Sequence, residues 1–147
     1  MRKPWLLLVV ALSAVSCGGS NTPTSPSGPP TTATERFDAI IVVKGSNFQP
    51  FSVGQSGAST TINLASLSSL TAPGVLLLSM QIGYGTTVLD DDGNVAGCDV
   101  KKTVQATPSL TAQLSDSLTP AANYCATITD IGNLKEAANF SVRITHP

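Results

Sequence analysis

The chain has 147 residues, with eight Lys or Arg against nine Asp or Glu, a formal net charge of −1, and only 12% charged residues beside 41% hydrophobic ones. That balance argues against nucleic-acid binding, because phosphate contacts need a concentrated basic face and beyond the N-terminus only Lys101 and Lys102 are adjacent. Three cysteines without a Cys-x-x-Cys and a single histidine, His146 beside the C-terminus, argue equally against zinc and thiol-redox chemistry.

Arg2 and Lys3 open the chain, an apolar run occupies residues 5–15, and Ser16 precedes Cys17. The run is about a dozen residues long where a helical span needs roughly twenty, so it reads as the core of a signal peptide and not as a membrane crossing. Ser13-Ala14-Val15-Ser16-Cys17 resembles the bacterial lipobox, with Ala14 where that family most often has Leu. The resemblance implies cleavage before Cys17, a diacylglyceryl thioether on its sulfur and three acyl chains in all. At about 0.8 kcal/mol per buried methylene, three chains hold a protein in a bilayer almost permanently. Gly18 and Gly19, in place of an inner-membrane Asp signal, imply an outer-membrane or cell-surface address in a bacterial cell envelope. The alternative is ordinary signal-peptide cleavage nearby, which leaves Cys17 a spare thiol.

Cleavage before Cys17 leaves 131 residues (147 less 16) and a formal charge of −3, from six Lys or Arg against nine Asp or Glu. Residues 18–34 hold no charge and no large apolar side chain, so they cannot offset their own ordering entropy and read as a tether. Such a stretch reaches roughly 25 Å as a coil and about 50 Å as polyproline II. The expected organisation is a signal peptide over 1–16, a lipidated Cys17 and tether over 17–35, and one domain over 36–147.

The domain alternates β-branched and apolar runs with Gly, Pro, Asn and Asp, and no stretch carries a convincing helical stripe. Candidate strands cover 37–44, 48–53, 60–67, 75–82, 86–89, 98–105, 109–114, 124–129 and 140–145. Helical propensity at 112–122 and 134–138 is limited to a turn or two by Pro120 and the neighbouring Asn and Gly. Seven to nine short strands predict an all-β antiparallel sandwich, jelly-roll or immunoglobulin-like. Phe140, Val142 and Ile144 alternate with Ser141, Arg143 and Thr145, the pattern of a strand with one buried face, and Tyr124, Ala126 and Ile128 do the same. Residues 40–43 and 75–78 are continuously apolar, which fits strands covered on both sides or a surface that meets a partner.

With Cys17 acylated, Cys98 and Cys125 form an even pair in an oxidising compartment, and a disulfide between them is the simplest assignment. Closing that loop contributes about 3.5 kcal/mol in the chain-entropy model. Parity places Cys125 on the polar register of its strand and Cys98 with Val100 and Val104, which leaves open whether the bridge lies in the core or outside it.

Residues 58–147 resemble the bacterial pre-peptidase C-terminal type of β-sandwich and small lipoproteins related to it. The likeness rests on Thr60-Thr61-Ile62-Asn63-Leu64, on Leu76-Leu77-Leu78 before a Gly-rich segment, and on Tyr124-Cys125-Ala126-Thr127-Ile128-Thr129-Asp130 with Phe140-Ser141-Val142-Arg143-Ile144-Thr145. It implies a cell-surface or enzyme-accessory module without catalytic residues of its own.

Four local features invite functional readings. Asp90, Asp92 and Asn94 in Asp90-Asp91-Asp92-Gly93-Asn94 offer oxygens to Ca²⁺, but the same residues make a hairpin turn, and loop position twelve holds Lys101 where an EF-hand needs Glu. Tyr84 between Gly83 and Gly85 suggests a loop aromatic for a sugar or other small ligand; its plain alternative is a tyrosine capping the core. Asp116 and Asp130 form a conceivable carboxylate pair with nothing in their spacing to single them out. No nucleophile motif is present, and His146 would have to fold back from a chain end to serve as a base. The expectation is a non-catalytic envelope module without a cofactor, anchored to membrane by lipid and meeting a protein partner through sandwich edges. A glycan-binding module and a hydrolase accessory are the alternatives.

Overall fold

The computed structural model describes residues 31–54, 59–72, 74–120 and 122–147; the expected signal segment, Cys17 and most of the stretch expected as tether lie outside them. Eight strands follow in chain order: β1 (Ala33–Ile41), β2 (Ser46–Ser52), β3 (Thr60–Ser69), β4 (Met80–Leu89), β5 (Val95–Ala106), β6 (Leu114–Asp116), β7 (Asn123–Thr129) and β8 (Ala138–His146). They form two antiparallel sheets ordered β1-β8-β3-β6 and β2-β7-β4-β5. The orders are nested, so each strand holds the place in its sheet that a chain neighbour holds in the other. That arrangement is a jelly roll, and it decides between the two sandwich types the sequence allowed.

The core lies between the sheets. Phe37, Ile41, Ile62, Leu64, Leu67, Phe140, Val142 and Ile144 from the first sheet meet Phe51, Met80, Ile82, Ala126 and Ile128 from the second, all buried. Phe37 and Phe140 pack edge to face with centroids 4.9 Å apart, and Tyr124 stacks on Phe51 at 5.8 Å. The Tyr124 hydroxyl receives a hydrogen bond from Thr119 N (3.0 Å) and donates to Thr119 O (3.2 Å). A tyrosine at a strand start reaching back to backbone a few residues upstream is the tyrosine corner of Greek-key sandwiches, and here it fixes the crossing from β6 to β7.

Several strands differ from their sequence-based bounds for physical reasons. β1 begins at Ala33, inside the stretch expected as tether, because its first residues pair with the end of β8, Ala33 with His146 and Glu35 with Ile144. It stops at Ile41, where Gly45 N bonds Val42 O (2.9 Å) and Lys44 turns the chain at φ 56°. Residues 75–78 are not a doubly covered strand: a bridge between Ser68 and Val75 and a bond from Leu76 N to Leu67 O (2.8 Å) do not extend into a ladder, and while Leu76 and Leu78 pack on the core, Val75 and Leu77 point outward at 69% and 74% exposure. β4 then runs unbroken through Gly83, Tyr84 and Gly85, so Tyr84 sits in a strand and not on a loop. β6 is shorter and later than expected, since residues 109 and 113 bond β3 through Leu64 O and Ile62 O without a continuous ladder. His146 is buried in the last strand against Phe51, with Nε2 2.9 Å from Glu35 Oε1, so that end is paired and not frayed.

Candidate functional site

The cysteine bridge is formed: Cys98 on β5 and Cys125 on β7 are joined, with Cα atoms 5.9 Å apart. These strands are not neighbours, because β4 lies between them. Adjacent strands are about 4.8 Å apart, so a flat sheet would separate β5 from β7 by roughly 10 Å. The second sheet therefore curls, and β5 folds over the outer face of β4. Gly85, the cross-strand partner of Cys125, makes the approach feasible: a Cβ there would lie 2.1 Å from Asp99 O and 2.8 Å from Val100 Cα. Gly83 is crowded likewise, its absent Cβ 2.4 Å from Lys102 O. Tyr124, Ala126 and Ile128 face the core, so the bridge is on the opposite face, yet Cys125 is fully buried beneath the curled strand. It staples the outside of the sheet from under cover.

Tyr84 points the other way, toward the gap between sheets. Its hydroxyl donates to Asp116 Oδ2 on β6 (2.6 Å), and Lys102 Nζ on β5 reaches the same oxygen (2.8 Å) and Ser115 O (3.3 Å). The hydrogen bond to Asp116, helped by burial, pushes the Tyr84 phenol up to about 12. The Lys102 ammonium first, and the Tyr84 hydroxyl second, bring Asp116 down to about 2. Both groups thus keep one charge state across the whole neutral range. The geometry suits a clasp between β4, β5 and β6 on the side where the sandwich is open.

Asp90, Asp92 and Asn94 form the hairpin between β4 and β5. Asp90 Oδ1 accepts from Asp92 N (3.1 Å) and Asn94 N (2.8 Å), and Gly93, at φ 81°, donates to Asp90 O (3.0 Å). The carboxylate of Asp90 is engaged in making its own turn. Among the described residues, no group of three or more His, Cys, Asp or Glu is gathered to hold a metal ion.

Asp130 is not brought into a working pair with Asp116; each has its own partners. Asp130 is buried at the end of β7 and accepts from Lys44 N (2.7 Å), Asn133 N (2.8 Å), Gly132 N (3.0 Å) and Leu134 N (3.1 Å). Burial alone pushes its carboxyl up, but the four N–H groups together outweigh burial and hold it below the ordinary value. This residue ties the β1–β2 turn to the β7–β8 loop. The β3–β4 connection joins them through Asn133 Nδ2, which donates to Ser79 O (2.6 Å), and through Glu136, which accepts from the Ser69 and Thr71 hydroxyls. Leu76, Leu78 and Leu134 with Asn133, Lys135 and Glu136 line a pocket of about 430 Å³ between those two segments.

Sequence reasoning missed the partners of Tyr84 and the role of Asp130 as a hub. An Asp followed by Gly and Asn two and three residues later was the available signal for the latter, since that spacing lets a carboxylate cap the backbone behind it. No protein-family model matches the chain, and no curated protein matches it.

Proposed function

We propose that the protein is a non-catalytic lipoprotein of the bacterial cell envelope, in which a jelly-roll body serves as a structural, adhesive or assembly module at the membrane where Cys17 fixes it. The observation that supports this most is the distribution of sulfur. Of three cysteines, Cys98 and Cys125 are bonded to each other, and the one left over is the cysteine that ends the lipobox-like segment. An exported, oxidising destination is also where a structural disulfide persists. A body stapled by a disulfide, a tyrosine corner and an inter-sheet clasp suits a module that bears contact without chemistry. The Tyr84 hydroxyl is already committed to Asp116, which leaves the glycan-binding reading with little support.

The test is the intact mass of the protein extracted from its native membrane. The expected species starts at Cys17, carries glyceryl and acyl mass there, and is lighter by the two hydrogens of one disulfide. A freely soluble product without fatty acid and with three titratable thiols overturns the proposal.

A further inference from the structure

Each sheet ends in two strands with a neighbour on one side only, and such edges carry unpaired backbone groups that invite another strand. Three of the four edges are guarded. β2 contains Pro50, which lacks an N–H; β5 breaks register along β4 at Tyr84/Gly85 and again at Val88/Leu89; β6 is three residues long. Where β3 runs past β6, Leu64 O and Leu67 O already accept from Ser109 N and Leu76 N (both 2.8 Å). β1 has none of these devices and keeps one register with β8 from Ala33 to Ile41.

The free backbone groups of β1 follow from the same bonds. Leu64 O and Leu67 O point away from β8, so their β8 partners, Val142 and Phe140, turn their own N–H and C=O toward Phe37 and Ala39. The odd residues of β1 are thus spent on β8, and the even ones, Thr34, Arg36, Asp38 and Ile40, turn their backbone groups outward. Asn47 Nδ2, on β2, donates to Ile40 O (2.8 Å), in keeping with that direction. Those of Thr34, Arg36 and Asp38 meet no partner among the described residues.

We propose that β1 pairs antiparallel with β1 of a second copy, about a two-fold axis level with Phe37, joining two four-stranded sheets into one. Outward groups then meet outward groups: Arg36 lies opposite Asp38 of the second copy and Thr34 opposite its Ile40, and each such pair exchanges two hydrogen bonds. Charge selects this register. Arg36 and Asp38 stand 3.3 Å apart on their own strand, with side chains 61% and 54% exposed, and at the seam the four charges alternate in sign along and across the strands. An axis at Arg36 sets guanidinium on guanidinium, one at Asp38 sets carboxylate on carboxylate, and like charges directly opposite are destabilising. Arg143, beside Arg36 on β8, makes no ion pair among the described residues, so the second copy sets its Asp38 on the open side of a guanidinium already crowded by another. Glu35, the remaining charge of β1, turns to His146. The chain's own residues 18–30 fit the edge poorly: they hold no charge, and Pro23, Pro26, Pro29 and Pro30 lack the N–H that pairing uses. The pairing does not depend on lipid at Cys17.

The test is self-association of the full chain in non-ionic detergent, followed by sedimentation equilibrium, with hydrogen exchange read at the Arg36 and Asp38 amides. The native sequence is expected to dimerise, and both amides to exchange more slowly as concentration rises. Arg36→Asp opposes carboxylates across the seam and Asp38→Arg opposes guanidiniums; each is expected to weaken the dimer at least about tenfold and leave the melting temperature of the monomer unaltered. Mixed in equal amounts, the two variants are expected to pair with each other at the native affinity or better, because one presents only carboxylates at the seam and the other only guanidiniums. Monomeric native protein overturns the inference, and so does a dimer that each variant forms as well as the native chain. Variants that stay monomeric when mixed overturn the seam. Slow exchange of both amides in a monomer assigns the edge to the chain's own N-terminal residues and also overturns it, while fatty acid on Cys17, read by mass, judges the anchor separately.

Discussion

Replacing Gly85 with Ala is the sharpest test of the curled sheet. The new methyl would lie 2.1 Å from Asp99 O, 2.6 Å from Asp99 C and 2.8 Å from Val100 Cα, all backbone atoms that no rotamer change can remove. Ordinary contacts sit near 3.5 Å, so β5 must retreat by about 1.4 Å. The Cys98–Cys125 bridge resists that retreat, because it pins β5 one residue from the clash. Overpacking costs about 1–3 kcal/mol, and each ladder hydrogen bond lost around the displaced segment adds about 1 kcal/mol. A total near 4 kcal/mol lowers the melting temperature by about 15 °C in a domain of this size. Gly97→Ala is the control, since its methyl meets only Val88 Cβ at 3.8 Å and is expected to change stability by under about 0.5 kcal/mol. The cycle closes with Cys98→Ala and Cys125→Ala together, which cost about 3.5 kcal/mol alone by loss of loop closure. Without the staple β5 is free to lift, so the Gly85→Ala penalty is expected to shrink by at least about 1 kcal/mol. Denaturant unfolding of the four proteins measures it. An equal penalty in both backgrounds, or one below about 0.5 kcal/mol, refutes the account of how β5 is held.

Tyr124→Phe keeps the stacking on Phe51 but leaves Thr119 N and O without their partner, a loss of about 1–3 kcal/mol in urea unfolding. Asp130 has a lowered carboxyl, so its contribution is complete above the unfolded value near 4 and is lost as pH falls through the lower folded value; Asp130→Asn is expected to flatten that part of the stability–pH curve. Lys44 holds a left-handed backbone at φ 56°, and Lys44→Gly is expected to raise stability by about 1 kcal/mol in thermal unfolding.

Period-two patterning made β8 legible, because Phe140, Val142 and Ile144 meet the core while Arg143 stays wet. The same parity found the core face of β7 but not the burial of its other face, where Cys125 is bonded to a strand two places away and Thr127 is buried as well. The disulfide followed from counting cysteines, and its side of the sheet did not. Gly83 and Gly85 read as a turn around Tyr84, because a sequence shows a glycine's freedom and not the backbone that needs its missing side chain. Tyr84, Lys102 and Asp116 come from three strands, and their meeting depends on register and on sheet stacking that no local pattern encodes. For residues 75–78 the doubly covered alternative failed for a related reason: pairing stops after one bridge and one further bond to β3, so Leu76 and Leu78 meet the core while Val75 and Leu77 stay exposed.

The jelly roll also sorts the connections by parity, and the two ends of the body become chemically unlike. At one end the chain enters at Ala33, beside His146, and shares that end with the hairpin of Asp90, Asp91 and Asp92. Val88, Leu89 and Val95 are exposed there too, next to three carboxylates. At the other end the aliphatic side chains sit with Lys44 and Lys135, which balance the carboxylates of Asp130 and Glu136. β1 has nine residues, so about 30 Å separates the end where the chain enters from the aliphatic one.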